Sequence, residues 1–351
     1  MESGTVEQTL PGLGVPESPG PAGAPGRVIG LTSSKRLMVV AGRSHRTLAE
    51  DIVSQIGCDL GEMTLKSFAS GETYCRYEDS IRGSDLFIVQ TAAIPVDQHL
   101  MELLIMINAA KLASAKRITA VIPWYFYVRQ DKKSRPREPI AAKLVADLLQ
   151  TAGADRVLTM DLHAGQVQGF FEIPVDHMTA VPMFAQYIRD LNLGGEIAVV
   201  SPDTGHAKIA GKFAEMVAAD LVILNKVRPA HNEAKVTTVI GDVEGKVAVI
   251  IDDIIDTGGT LVAGAAALKA AGATRVYACA THGLFNGQAL ELIAASDIHR
   301  LVVTDTVPLD LLARPANVEV LSVAGILAET ISNVFADDSV SAIFAGENQL
   351  F

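Results

Sequence analysis

The chain has 351 residues, 49% of them apolar and 20% charged, with a formal net charge of −11, so it is long enough for two domains. Mean hydropathy is +0.29, yet no apolar run approaches the roughly 20 residues that span a bilayer. Three cysteines (Cys58, Cys75, Cys279) without CxxC spacing exclude a disulfide scaffold and a structural zinc site, and the acidic balance argues against a nucleic-acid surface.

Residues 1–34 hold five of the 15 prolines and seven of the 29 glycines, with no apolar periodicity, and are expected to be a disordered tail. No basic segment followed by an apolar one opens the chain, so a cytoplasmic protein is expected. From Arg36 short β-branched runs alternate with Ala- and Leu-rich stretches. Strands are predicted at Leu37–Val40, Leu86–Gln90, Ile118–Ile122, Val157–Met160, Ile197–Val200, Val247–Ile251, Val276–Ala280 and Leu301–Thr304. Continuous apolar runs of this length suit strands covered on both faces, hence an α/β fold with mostly parallel sheets and crossover helices. Ligands bind such sheets at the carboxyl ends of the strands.

Segments beginning at Leu37, Gly83 and Ala109 recur at Ala198, Gly245 and Ala267, with offsets of 161, 162 and 158 residues in the same order. A period this long indicates two copies of one domain rather than a solenoid.

The strongest motif is Val249–Thr260. A strand delivers Asp252 and Asp253, and Asp256, Thr257, Gly258, Gly259 and Thr260 then open an Ala-rich helix. Converging amides at a helix N-terminus hold a phosphate, and a nearby carboxylate pair accepts from sugar hydroxyls. Tyr127–Pro139 carries five basic residues in a Pro-containing loop, a candidate polyphosphate clamp, although a solvated charge run explains the residues equally well. Lys226 and Arg228 alternate after the apolar run Leu221–Leu224, so in a strand they share a face and can stabilise transferring phosphoryl charge. His163 and Asp203 each follow a predicted strand. In Phe68–Glu72 the ring of Phe68 can pack on a purine; the alternative is a core Phe68 with Gly71 in a turn.

The Val249–Thr260 segment resembles the signature of type I phosphoribosyltransferases. Phe68-Ala-Ser-Gly-Glu72, Ser80-Ile-Arg-Gly83, Met101–Asn108, Arg129–Lys133, Met160–Ala164, Ser201-Pro-Asp203 and Thr281-His-Gly283 narrow the likeness to the ribose-phosphate diphosphokinases, over most of Arg36–Phe344. The resemblance implies two tandem phosphoribosyltransferase-like domains, 35–181 on the ATP side with the basic loop 129–138, and 182–333 on the ribose 5-phosphate side. A final segment, 334–351, would return to the first. It implies transfer of the β,γ-diphosphoryl group of ATP to the C1 hydroxyl of ribose 5-phosphate, with Mg²⁺ and a homo-oligomeric, hexameric state.

By the same resemblance Lys226 and Arg228 are catalytic, and Phe68, Ser70, Gly71, Glu72, Arg129 and Gln130 bind ATP. Arg228, Asp252, Asp253 and Asp256–Thr260 hold ribose 5-phosphate, and His163 with Asp203 places the metal. Ser70 stands where the family has Asp or Asn, His206 where it has a second Gly, and Asn286-Gly-Gln288 where it has Ser-Gly-Pro. Two other readings stay open on the residues: a phosphoribosyltransferase, which shares the signature, and a noncatalytic regulatory paralogue.

Overall fold

The computed structural model describes residues 35–227 and 236–341. The first half runs β1 (Leu37–Ala41), α1 (Arg46–Ile56), β2 (Met63–Ser67), β3 (Thr73–Tyr77), β4 (Asp85–Val89), α2 (Val96–Leu112), β5 (Arg117–Ile122), α3 (Ala141–Ala152), β6 (Arg156–Met160), β7 (Val175–Met178) and α4 (Val181–Asp190). The second half repeats that order: β8 (Ile197–Ser201), α5 (Ala207–Met216), β9 (Asp220–Val227), β10 (Val236–Ile240), β11 (Val247–Ile255), α6 (Gly259–Ala270), β12 (Arg275–Gly283), α7 (Ala289–Ala294), β13 (Ile298–Thr304), β14 (Val318–Leu321) and α8 (Ala324–Ala336). The duplication legible in three segments thus extends to every described strand and α-helix, while the short 3-10 helix Gly165–Phe170 has no counterpart in the second half.

Strands pair as β1-β4-β5-β6-β7 in a parallel five-stranded sheet, and as β10-β9-β8-β11-β12-β13-β14 in a seven-stranded sheet whose only antiparallel pair is β9–β10. The β2–β3 hairpin stands apart as its own two-stranded sheet. All eight predicted strands are present. Strand β11 runs past the apolar stretch through Asp252 and Asp253 to Ile255, because alternate residues still bury their side chains against neighbouring elements.

Side-chain alternation builds three apolar layers. Val39, Phe87 and Leu158 of the first sheet face Val199, Val249 and Val302 of the second across helices α1, α4, α5 and α8, in one core. Val40, Leu86 and Ile88 point the other way, under α2 and α3. Ala248, Ile250 and Val303 do the same under α6 and α7. Helix α8 lies against α1, and Arg117 of β5 reaches Asp85, Asp337 and the Val334 carbonyl, at 2.7, 3.0 and 2.9 Å. Residues 342–351, the rest of the segment expected to return to the first half, lie outside the described residues, as does the tail 1–34. Among the described residues no helix is long and apolar enough to cross a membrane.

One buried imidazole helps join the halves, and a second braces the first half from within. His282 in β12 meets the Met160 and Asp161 carbonyls with Nε2, both at 3.2 Å, so Nε2 carries the proton and Nδ1 accepts from the Thr306 hydroxyl at 2.8 Å. Its ring also packs on Trp124, with centroids 4.5 Å apart. The Leu162 N–H donates to Nε2 of His177 at 2.8 Å. Burial pulls His177 down to about 3 and His282 down to about 4. Both are therefore neutral when folded but take up a proton near pH 6.5 when unfolded. Folding stability accordingly falls as pH drops below 6.5, the loss levelling off near pH 4 for His282 and near pH 3 for His177, and amounting to several kcal/mol at about 1.4 kcal/mol per tenfold change in proton affinity. In urea titrations between pH 7 and 4, replacing His282 by glutamine is expected to flatten that decline.

Candidate active site

The order of the seven-stranded sheet reverses at β8: the chain leaves outward to β9, then returns to β11 and proceeds the other way. The crevice beyond the carboxyl ends of β8 and β11 is thus the topological switch point, where open α/β sheets bind ligands. A cavity of about 260 Å³ occupies it, lined by Arg129, His163, Asp203, His206, Asp252, Asp253, Asp256, Thr257, Gly258 and Thr260 among others.

On one wall the chain turns from β11 into α6. Gly258 has φ of 75°, a left-handed conformation that side chains beyond Gly resist, and it stands at the N-cap with no side-chain cap bond. The first-turn amides of α6 are left facing the cavity with the positive end of the helix dipole, and the Thr257 and Thr260 side chains border the same space. Asp256 accepts from Asn286 Nδ2 at 2.7 Å and pairs with Arg129, which reaches in from the basic loop between β5 and α3. Burial raises the Asp256 carboxyl, but these two donors outweigh it and hold the carboxyl below the usual range.

The floor is the acidic pair. Asp253 is buried and divides its oxygens between two imidazoles: His163 Nδ1 lies 2.7 Å from Oδ2, and His206 Nε2 lies 3.3 Å from Oδ1. Burial alone would raise Asp253, yet the His163 hydrogen bond and the charge of His206 hold it down at about 2. Asp252 goes the other way, pushed well up by burial and by the neighbouring Asp253 charge. In return Asp253 raises His163. With Nδ1 committed to Asp253, Nε2 of His163 is the ring nitrogen left for another partner. Asp203 is half-exposed at the opposite rim, with Oδ1 accepting from the amides of Gly205 and His206 at 2.8 and 3.1 Å.

The structure therefore brings Arg129, His163, Asp203, Asp252, Asp253, Asp256, Thr257, Gly258 and Thr260 into one cavity, with Gly259 beginning α6 beside them. It does not bring Phe68, Ser70, Gly71, Glu72 or Gln130 there. Phe68 is 51% exposed at the tip of the β2–β3 hairpin, not core, and Ser70 donates to Glu72 at 2.7 Å. Gln130 lines a separate depression with Ala92, Val96, Trp124, Tyr127 and Arg129. Lys226 sits near the end of β9, while Arg228 lies outside the described residues.

Two partners were not expected from the residues. Asn286, noted only as a departure, is the amide that holds Asp256. His206, noted only as a departure, lies against Asp253. Asp161 is buried, accepting from Thr281 and the Ala180 amide at 2.6 and 2.8 Å, and so ties the halves together beneath the site.

Residues 37–153 match the N-terminal domain of ribose phosphate pyrophosphokinase, and residues 198–345 match the phosphoribosyl synthetase-associated domain. The ribose-phosphate pyrophosphokinase of Clostridium acetobutylicum is 48% identical over 318 residues, covering 90% of this chain and 100% of that protein. That of a Nostoc species is 48% identical over 316 residues, covering 90% and 96%. The crystal structure of phosphoribosylpyrophosphate synthetase from Mycobacterium smegmatis superposes with a TM-score of 0.82 at 43% identity, covering 86% of this chain and 100% of that one. With its two domain matches, its full-length relatives and its doubled fold in agreement, the chain belongs to the ribose-phosphate pyrophosphokinase family, transferring the diphosphoryl group of ATP to ribose 5-phosphate.

Proposed function

We propose that the switch-point cavity is where ribose 5-phosphate is held and from which its C1 hydroxyl attacks ATP, in a cytoplasmic homo-oligomer whose subunits each divide the substrates between two halves at about residues 181/182. The observation that carries this reading is the cavity itself, which places an amide cradle and an acidic pair within one space. The phosphate sits on the Thr257–Thr260 amides and hydroxyls, and the sugar hydroxyls donate to Asp252 and Asp253. ATP approaches from the side of Arg129 and Gln130, with its base on Phe68 and Glu72.

The C1 hydroxyl oxygen attacks the β-phosphorus in line. The bond from that phosphorus to the α,β-bridging oxygen breaks, and AMP leaves. Positioning and charge neutralisation do most of the work in such a transfer. Lys226 and Arg228 supply positive charge to the moving group. Loop 129–138 closes and excludes water; Arg129 exchanges Asp256 for phosphate oxygens as it does so.

The donor set fits Mg²⁺: one carboxylate, Asp203, and one imidazole nitrogen, His163 Nε2, whose ring Asp253 orients from behind. Mg²⁺ takes few protein ligands and keeps waters and phosphate oxygens for the rest. When bound it neutralises charge on the triphosphate.

Incubating the chain with ATP, Mg²⁺ and ribose 5-phosphate is expected to give AMP and 5-phosphoribosyl 1-diphosphate in equal amounts. AMP formation that does not depend on ribose 5-phosphate would refute the assignment.

A further inference from the structure

Glu102 of α2 is a carboxylate with no solvent exposure that does not line the cavity described above, and it is fully engaged. Its Oε1 accepts from the Arg43 amide at 2.7 Å and from Gln90 Nε2 at 2.9 Å, and its Oε2 pairs with Arg43 Nε. Gln90 is fixed in turn: its Oε1 accepts from the Ser44 amide at 3.0 Å, and Nε2 also meets the His99 carbonyl at 3.1 Å. Gly42 completes the fit, since a Cβ there would lie 2.3 Å from Gln90 Oε1. The residues after β1 are thus locked to the end of β4 and to α2 by a closed, buried polar network.

One arm of Arg43 leaves that network. Its Nη1 donates to Ser67 Oγ at 3.2 Å, at the last residue of β2 and directly before Phe68. Among the described residues, two hydrogen bonds tie the β2–β3 hairpin to the rest of the domain. Tyr77 donates to the Met106 carbonyl at the base, at 2.9 Å, and Arg43 holds the end that carries Phe68 and Glu72. The loop beyond is closed only on itself, through Phe68 N–H to the Glu72 carbonyl at 2.8 Å. A guanidinium suits this task, because its fork serves Glu102 and Ser67 at once, whereas an ammonium on a flexible stem is not held in both directions.

We infer that Arg43 is a positioning residue for the nucleotide: anchored on buried Glu102, it holds Ser67 so that Phe68 and Glu72 are presented in the geometry that binds the base. This rests on the reading that Phe68–Glu72 takes the adenine. Arg43 itself touches no reacting atom, so its influence falls on ATP affinity rather than on the transfer step.

Steady-state kinetics on the full chain, with ATP and ribose 5-phosphate varied separately, test it. Ser67→Ala leaves the Arg43–Glu102 pair intact, so the fold is retained. It is expected to raise KM for ATP roughly five- to tenfold, the scale of one exposed charge-assisted hydrogen bond. Both kcat and KM for ribose 5-phosphate are expected to stay within about twofold. Ser67→Thr, which keeps the hydroxyl, restores the KM for ATP, and Arg43→Lys raises it as Ser67→Ala does. If Phe68→Ala raises KM for ATP while Ser67→Ala and Arg43→Lys do not, the adenine reading stands and the positioning role is overturned. If Phe68→Ala leaves KM for ATP unchanged, both are overturned. Equal losses in every kinetic constant would mark Arg43 as a general structural residue and also overturn the inference.

Discussion

An Asp253→Asn variant is expected to turn over roughly a thousandfold more slowly than the parent chain, while Asp252→Asn loses only about tenfold. The two residues are adjacent in β11, but their contacts differ. Asp253 holds His163 by Nδ1 and lies against His206, whereas the contact within hydrogen-bonding distance of Asp252 is the Asp253 amide, at 2.9 Å. Removing the Asp253 charge takes away its ionic contacts to two imidazoles, His163 and His206, each worth about 1.5–3 kcal/mol. At about 1.4 kcal/mol per factor of ten, their sum gives the thousandfold loss. An asparagine at 252 still accepts from a sugar hydroxyl and displaces neither imidazole. Equal losses in the two variants, measured as kcat over KM for ribose 5-phosphate, would show that the imidazoles play no part in setting Asp253.

Lys226→Ala is expected to lower kcat by 10² to 10³, the range seen when one donor to developing charge is removed, about 2.7–4 kcal/mol. Because the lysine acts on the moving diphosphoryl group, the dissociation constant for ribose 5-phosphate should stay within about twofold of the parent value. Isothermal titration for binding and AMP release for turnover separate the two quantities. Parent-like turnover would remove Lys226 from the catalytic machinery.

The sheets were legible because their inner strands are buried on both faces, and a continuous apolar run announces that arrangement. The elements missed are those where it breaks down. Strands β2 and β3, with sequences MTLKS and TYCRY, form an isolated hairpin of mostly half-buried residues, so they alternate rather than run. Strands β7 and β14 are four-residue edges carrying Asp176, His177 and Glu319. The acidic pair and phosphate cradle were legible as local sequence, since one turn from strand to helix contains both. The partners of that turn were not. Asn286 meets Asp256 from 30 positions away, His163 meets Asp253 from 90, and Arg129 meets Asp256 from 127, and only the fold sets such meetings. Glu102 illustrates the same limit: in sequence it is one charge in an apolar helix, while in the fold it anchors Arg43 across 59 residues.

The account stands or falls on where the sugar phosphate lies. A crystal structure of the chain grown with ribose 5-phosphate is predicted to show the phosphate within hydrogen-bond distance of the Thr257–Thr260 amides. The 2- and 3-hydroxyls should then lie on Asp252 and Asp253, with C1 directed toward His163 and Asp203. A sugar bound outside the switch-point cavity, or one with its phosphate against His163 and its C1 buried beneath α6, would contradict it.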